Sequence, residues 1–123
     1  MINFMTGEVQ REKHVFDAVG QVAGRLASEA AILLMGKHKV GFRPNVDGGD
    51  FVEVANVAHL KFTGKKLERG TRTKHSGFPG GLVVTPLAKL FKENPAKLFR
   101  RMVYNMLPKN KLRKEMIKRL TFK

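Results

Sequence analysis

The chain has 123 residues, the length of one ordinary domain, and Lys and Arg outnumber Asp and Glu by 24 to 10, for a formal net charge of +14. A basic surplus of this size favours a polyanionic partner, nucleic acid before an anionic membrane surface. The absence of Cys excludes disulfides, thiolate zinc sites and cysteine nucleophiles. Because the longest uninterrupted apolar run spans only residues 30–35, we expect neither a membrane-spanning helix nor a secretory signal.

The first half of the chain predicts a strand, a helix and a second strand. Residues 1–13 indicate an irregular arm, residues 15–17 a short strand, and Gly20 the turn that breaks it. The helix is expected from Gln21, because apolar residues recur from there at the spacing of one helical face: Val22, Leu26, Ala30, Leu33 and Leu34. Gly36 is placed to end this helix in a left-handed conformation.

Turn residues dominate residues 40–50, which predicts a loop, and residues 51–55 read as the next strand. The order strand, helix, strand favours a parallel α/β core. Residues 60–62 indicate a further short strand. Residues 64–82 carry five glycines and several cations, and they predict a long, weakly structured loop with a function.

The C-terminal third is expected to be helical. Thr85 and the proline after it predict the N-cap and first residue of a short helix. Asn94, also followed by proline, predicts a second helix that Pro108 ends. Asn110 indicates the start of a third helix, with apolar residues at helical spacing as far as Leu120. No linker or internal repeat is apparent, so we expect one domain over residues 1–123.

Phosphate-binding glycine motifs do not fit the sequence. Gly20 and Gly24 lack the middle glycine of the dinucleotide fingerprint, and neither Gly36-Lys37 nor Gly64-Lys65 completes a nucleotide P-loop. We therefore interpret Gly20 as a turn residue and Gly24 as a close-packing residue inside the helix. A nucleotide-hydrolysing function and a bound cofactor are not expected.

Candidate catalytic and metal residues are also sparse. The four histidines, His14, His38, His59 and His75, have no metal-ligand spacing, so no metal site is predicted. Asp47 and Asp50 form a carboxylate pair on a glycine-rich loop, where Asp most often bonds its own backbone to hold a turn. A phosphoester-handling enzyme that uses Asp47, Asp50 and His75 stays open as an alternative. Asp17, alone at a strand end, is interpreted as a turn or cap residue.

Three clusters of cations lie in loops or at helix ends, at residues 37–43, 61–74 and 101–123. Lys and Arg in such places can neutralise phosphates and release counterions, and Phe42 and Phe78 in the same loops could stack on bases. Glycine-rich basic loops suit folded RNA, which is recognised largely by shape and backbone. The predicted RNA-binding residues are Arg25, Lys37, His38, Lys39, Arg43, Lys65, Lys66, Arg69, Arg72, Lys74, His75, Arg101, Lys109, Lys111, Arg113, Lys114 and Lys118.

Six motifs in order resemble the universal ribosomal protein family called large-subunit ribosomal protein thirteen, in its bacterial-type form. They are D-A-x-G-x-x-x-G-R-L-A-S at residues 17–28, G-K-H-K at 36–39, V-D-x-G-D at 46–50, T-G-K at 63–65, H-S-G-F-P-G-G at 75–81 and M-L-P-K-N at 106–110. The family commonly has Trp at the position of Lys13, an aromatic at Thr73, a basic residue at Val83, and glycines at Asn105 and Arg113. These departures concern local contacts.

The resemblance implies a three-layer α/β/α domain with a short, mostly parallel sheet, plus basic loops and C-terminal helices. It implies a non-catalytic, structural role in the large ribosomal subunit, with 23S-type rRNA and neighbouring ribosomal proteins as partners, and no membrane or small-molecule substrate. The expected location is the cytoplasmic ribosome, with an organellar ribosome left open, and a free regulator of messenger RNA is the other alternative. The residues expected to hold turns and structure are Asp17, Gly20, Gly24, Asp47, Gly49, Asp50, Gly77, Pro79, Gly80, Gly81 and Pro108. We expect the loops at 41–50 and 64–82 to be partly disordered without RNA.

Overall fold

The computed structural model describes residues 10–123, so the first nine residues of the predicted N-terminal arm lie outside the described part. Five strands and five α-helices follow one another along residues 10–123, with a single 3₁₀ turn at Val57–His59. In chain order they are β1 (Lys13–Asp17), α1 (Ala23–Met35), β2 (Phe51–Ala55), α2 (Lys66–Arg69), β3 (Thr71–His75), β4 (Leu82–Pro86), α3 (Leu87–Glu93), α4 (Pro95–Met106), α5 (Arg113–Lys118) and β5 (Leu120–Phe122).

A parallel three-stranded sheet in the order β1-β2-β5 forms the centre of the fold. The central strand β2 is the most buried, and its Val52 and Val54 are both 0% exposed. Val52 is paired with Leu120 of β5 and, on the other side, with His14 of β1. The predicted α/β class with a short parallel sheet is confirmed.

Helix α1 supplies most of the apolar core. Its small and branched residues Ala23, Leu26, Ala27, Ala30, Ala31 and Leu34 are buried. They pack in one cluster with Phe99 and Val103 of α4 and Met116 of α5. The predicted helix end is confirmed, because Gly36 has a φ of 82° and its N–H donates to the carbonyl of Ile32. The helix begins two residues later than expected, because Val22 instead pairs with Lys61 in an isolated bridge.

The prediction of a long loop at residues 64–82 is wrong. This segment contains the short helix α2 and strand β3, and β3 pairs with β4 in an antiparallel hairpin. Gly77 and Gly80 in the connecting turn have φ values of 90° and 75°. Strand β3 has the polar sequence TRTKH, so it lacks the alternation of apolar and polar residues that predicts a strand. Its strand conformation depends instead on pairing with LVVTP of β4. We call the hairpin β3–β4 with its turn, residues 71–86, the arm.

Other boundaries also differ from the sequence predictions. Residues 60–62 form no strand, since only Lys61 makes a bridge. Thr85 belongs to β4 and not to a helix cap, and α3 begins at Leu87. Leu120 starts strand β5 instead of continuing a helix, because α5 ends at Lys118. By contrast, Asn94 caps α4 as predicted, since its side chain accepts a hydrogen bond of 3.1 Å from the N–H of Lys97.

The surroundings of Gly24 and Gly49 show whether each position requires glycine. A Cβ built on Gly24 would meet no atom within 4 Å, so the predicted close packing at Gly24 is wrong. A Cβ on Gly49 would lie 1.6 Å from the carbonyl oxygen of Leu34, so the loop before β2 can approach the end of α1 only with glycine there.

Candidate nucleic-acid interface and a buried carboxylate cluster

Asp50 is the buried polar centre of the structure. It directly precedes β2, is 0% exposed, and its N–H donates to the carbonyl of Leu33 at 2.9 Å. Its Oδ1 accepts from Lys39 Nζ at 2.8 Å and from the N–H of Glu12 at 3.2 Å. Its Oδ2 lies 2.9 Å from His14 Nε2 and 2.8 Å from His38 Nε2. One carboxylate thus joins the start of β1, the exit of α1 and the start of β2.

These partners keep Asp50 ionised. Burial by itself raises the pKa of the Asp50 carboxyl, but hydrogen bonds from Lys39, His14 and the Glu12 N–H, together with the positive charge of Lys39, hold it well below its ordinary value. A buried carboxylate with four donors is thereby charged at neutral pH. The arrangement stabilises the fold only as a set, because removing one partner leaves a buried charge uncompensated.

Asp47 lies three residues earlier and forms a second ion pair. Both of its carboxylate oxygens accept from the guanidinium of Arg119, at 2.6 Å each. Arg119 is only 8% exposed and also donates to the carbonyl of Leu34 at 2.6 Å. Arg11 donates to the carbonyls of Asp47 and Gly49. We call Arg11, His14, His38, Lys39, Asp47, Asp50 and Arg119 the ion cluster.

The ion cluster changes the interpretation of the loop aspartates. Asp47 and Asp50 were expected to bond their own backbone in a turn, but their carboxylates accept from side chains on distant segments. His75 is elsewhere, on β3, where its Nδ1 accepts from the N–H of Gly77. Within residues 10–123, no hydrogen bond or ion pair joins His75 to Asp47 or Asp50. The structure therefore does not assemble the three residues of the enzyme alternative.

Asp17 accepts hydrogen bonds of 3.1 Å from the N–H of Val19 and from Asn56 Nδ2. It thus links the end of β1 to the end of β2 across a turn in which Gly20 has a φ of 71°. Arg25 is exposed on α1.

The predicted RNA-binding cations divide into those that contact other side chains of the protein and those whose side chains are exposed. His38 and Lys39 are held by Asp50, and the Lys39 side chain is only 10% exposed. Lys118 is paired with Glu115 at 3.3 Å on the surface. Arg113 stacks its guanidinium over the ring of Tyr104, 4.0 Å from the centroid. Most of the others have exposed side chains: Arg25, Lys37, Arg43, Lys65, Lys66, Arg69, Lys74, His75, Arg101, Lys109, Lys111 and Lys114.

The two cations of strand β3 lie on the same face of the arm. Register pairs Arg72 with Thr85 and Lys74 with Val83, which places both cations on one face of the hairpin. Phe78 in the turn is 74% exposed, whereas Phe42 is partly buried. The arm therefore carries an exposed aromatic tip and a face with two basic side chains.

A cleft of about 170 Å³ lies between the arm and α4. Arg72 from β3 and Lys97 and Arg101 from α4 line it, with Glu93 as the acidic residue. Sequence reasoning missed Lys97, although Lys97 and Arg101 stand four residues apart on one helix and so share a face. It also missed Arg11, His14 and Arg119, whose partners lie 36 or more residues away.

None of the helices in residues 10–123 is long and apolar enough to cross a membrane.

The model of the ribosomal protein L13 family matches residues 11–122. The chain belongs to the ribosomal protein L13 family. It is 47% identical over 114 residues to the large ribosomal subunit protein uL13 of Kocuria rhizophila, covering 93% of this chain and 78% of that protein. It is 48% identical over 114 residues to the protein of that name from Cutibacterium acnes (93% and 78%). For Thermobifida fusca the identity is 49% over 113 residues (92% and 76%). The resemblance drawn from six motifs is thereby confirmed.

Two of the L13-family motifs meet in the ion cluster. G-K-H-K supplies His38 and Lys39, and V-D-x-G-D supplies Asp47 and Asp50. The glycines of both motifs allow the approach, since a Cβ on Gly36 would lie 2.6 Å from the carbonyl oxygen of Gly48. In this L13-family chain, therefore, the two motifs contact each other as well as presenting cations outward.

Proposed function

We propose that this protein is a structural constituent of the large ribosomal subunit that binds folded large-subunit rRNA, supports subunit assembly and catalyses no reaction. The observation that carries the proposal is the cleft in which Arg72, Lys97 and Arg101 come together from two separate segments. Three cations against one acid in a concave site attract a phosphate backbone. The relatives named above are large-subunit proteins, which supports the same partner.

The arm extends this surface. Its cations Arg72 and Lys74 share one face, and the segment before it adds Lys65, Lys66 and Arg69 with Glu68 as the only acid. Among the residues that the structure describes, no ion pair uses any of these five cations. They are therefore available to neutralise phosphates, and Phe78 at the tip is available to stack on an unpaired base.

Within the ion cluster, His38 and Lys39 have a different role in this proposal. Their side chains compensate Asp50, so they position the loop before β2, while Lys37 beside them is exposed and free to meet RNA. The expected contact between residues 36–39 and rRNA is thus assigned mainly to Lys37.

Salt dependence tests the cleft directly. The triple variant Arg72→Ala, Lys97→Ala, Arg101→Ala should lower the slope of log affinity against log salt for a large-subunit rRNA transcript. The expected loss is about two to three, at 0.7–0.9 for each phosphate contact removed. Filter binding between low and moderate salt measures the slope.

A matched control removes the same charge elsewhere. Lys13→Ala, Lys89→Ala, Lys92→Ala also lowers the net charge by three but leaves the cleft intact, so its slope should stay near that of the wild type. Equal slopes for the two triple variants would reject the cleft as the RNA-binding surface. Sedimentation of cell extract in high salt separates the remaining alternative, because a free messenger-RNA regulator would be found mainly outside the large-subunit fraction.

A further inference from the structure

Three metal-ligand atoms converge inside the ion cluster. His14 Nε2 and His38 Nε2 both lie within 3 Å of Asp50 Oδ2, at 2.9 and 2.8 Å, and the three atoms lie within 4.8 Å of one another. The two imidazole rings meet edge to face, with centroids 5.9 Å apart and planes at 90°. They come from β1 and from the exit of α1, so the tertiary structure alone brings them together.

The two oxygens of Asp50 are used differently. Oδ1 accepts from Lys39 Nζ and the Glu12 N–H, whereas the partners of Oδ2 within residues 10–123 are the two imidazoles. An ion bound to Oδ2 therefore need not displace Lys39 or the Glu12 N–H from Oδ1. Lys39 and the Glu12 N–H would orient the carboxylate from outside the coordination sphere, as hydrogen bonds to metal-binding carboxylates do in other metal sites.

We propose that His14, His38 and Asp50 form a binding site for a divalent transition-metal ion, with Zn²⁺ as the expected ion. Two imidazole nitrogens and one carboxylate oxygen are a usual zinc donor set, and they leave a fourth position for water. Tetrahedral zinc with bonds of about 2.1 Å places its ligand atoms about 3.4 Å apart. The distances from Oδ2 to the two Nε2 atoms therefore need to grow by about half an ångström, and the two Nε2 atoms, which lie within 4.8 Å of each other, need to take the same spacing of about 3.4 Å.

The surroundings of the three ligands let a metal ion enter from solvent and limit the affinity with which it binds. His38 and Asp50 line a cavity of about 210 Å³ together with Gln10, Glu12 and Lys39, which gives room for a water ligand. The His14 and His38 side chains are 28% and 31% exposed, so an ion can enter from solvent. The ammonium of Lys39 repels a divalent ion, so the affinity should be lower than that of a closed four-ligand zinc site.

Cobalt and zinc titrations of the full-length, tag-free protein after treatment with a chelator test the site. We expect one Co²⁺ per chain, with the visible absorption of a tetrahedral cobalt centre, and its displacement by Zn²⁺. His14→Gln and His38→Gln each keep a donor toward Asp50 but remove a strong ligand, and each should weaken Co²⁺ binding at least tenfold. His59→Gln and His75→Gln are the matched controls and should bind as the wild type does.

A measurement on the wild-type protein covers the case in which a variant does not fold. In long-range ¹H–¹⁵N spectra, Zn²⁺ should shift the imidazole nitrogens of two histidines and leave the other two unchanged. Absence of stoichiometric binding would overturn the proposal. Binding that survives His14→Gln and His38→Gln, or that is lost equally in His59→Gln and His75→Gln, would also overturn it. The proposal is independent of RNA binding, so neither result bears on the ribosomal role.

Discussion

The ion cluster and the arm use the same kinds of residue in opposite ways. In the ion cluster, Asp47 and Asp50 lie among cations, and Asp50 and Arg119 are at most 8% exposed. In the arm, Arg72 and Lys74 form no ion pair with an acidic residue of the described chain, and Val83 and Val84 are 58% and 52% exposed. Acidic residues therefore decide which cations hold the protein together and which are left for a partner.

The two regions also differ in what stabilises them. The parallel sheet around the ion cluster is covered by α1, α4 and α5 and contains the apolar core. The arm is a two-stranded hairpin, and such a hairpin alone is marginally stable in water. A change of similar chemistry should accordingly have a large effect on stability in the core and a small one in the arm.

The largest expected effect is the loss of Arg119. Arg119→Met removes the bidentate partner of Asp47 and the donor to Leu34, and it leaves the part-buried Asp47 carboxylate with the longer, 3.9 Å contact to Arg11. We expect a loss of about 3–5 kcal/mol in the free energy of unfolding, measured by urea denaturation. Lys118→Met, at an exposed pair with Glu115, is the control and should change stability by less than about 1 kcal/mol. A similar small loss for Arg119→Met would show that the ion cluster does not stabilise the fold.

Acid should lower the stability of the fold because it protonates the Asp50 carboxylate. Its pKa is lowered in the folded protein, so its contribution to stability is complete above the pKa of the unfolded chain and is lost as the pH falls below about 4. We expect this carboxylate to contribute on the order of 2 kcal/mol to the fall in stability between pH 5 and pH 2. Unfolding curves of the wild type and Asp50→Asn across this range measure it. A variant with the same pH dependence as the wild type would contradict the assignment.

The smallest effect is expected in the arm. Val84→Thr changes a side chain that is 52% exposed and should alter the free energy of unfolding by less than about 0.5 kcal/mol. Val54→Thr makes the identical change in β2, where Val54 is 0% exposed, and should cost about 1–3 kcal/mol because the new hydroxyl is buried. Urea denaturation of both variants gives the comparison directly. Equal losses would mean that the arm is part of the cooperative core.

Local features could be predicted from the sequence because they depend on residues a few positions apart. The apolar spacing of α1, its end at Gly36 and the cap at Asn94 are of this kind. The arm was missed because β3 is polar and its strand conformation depends on pairing with β4. Strand β5 was missed because Leu120 also fits the helical spacing of the residues before it, and only its pairing with Val52 decides its conformation.

The sequence by itself determined the class of the fold, the family and the excess of positive charge, since composition, periodicity and ordered motifs are properties of the chain alone. Only the tertiary structure decided which charges are compensated. Asp50 meets His14 from 36 residues away, and Asp47 meets Arg119 from 72 residues away. Such pairs form because the register of β1, β2 and β5 brings three distant segments to the same end of one sheet, and no spacing along the chain encodes that meeting.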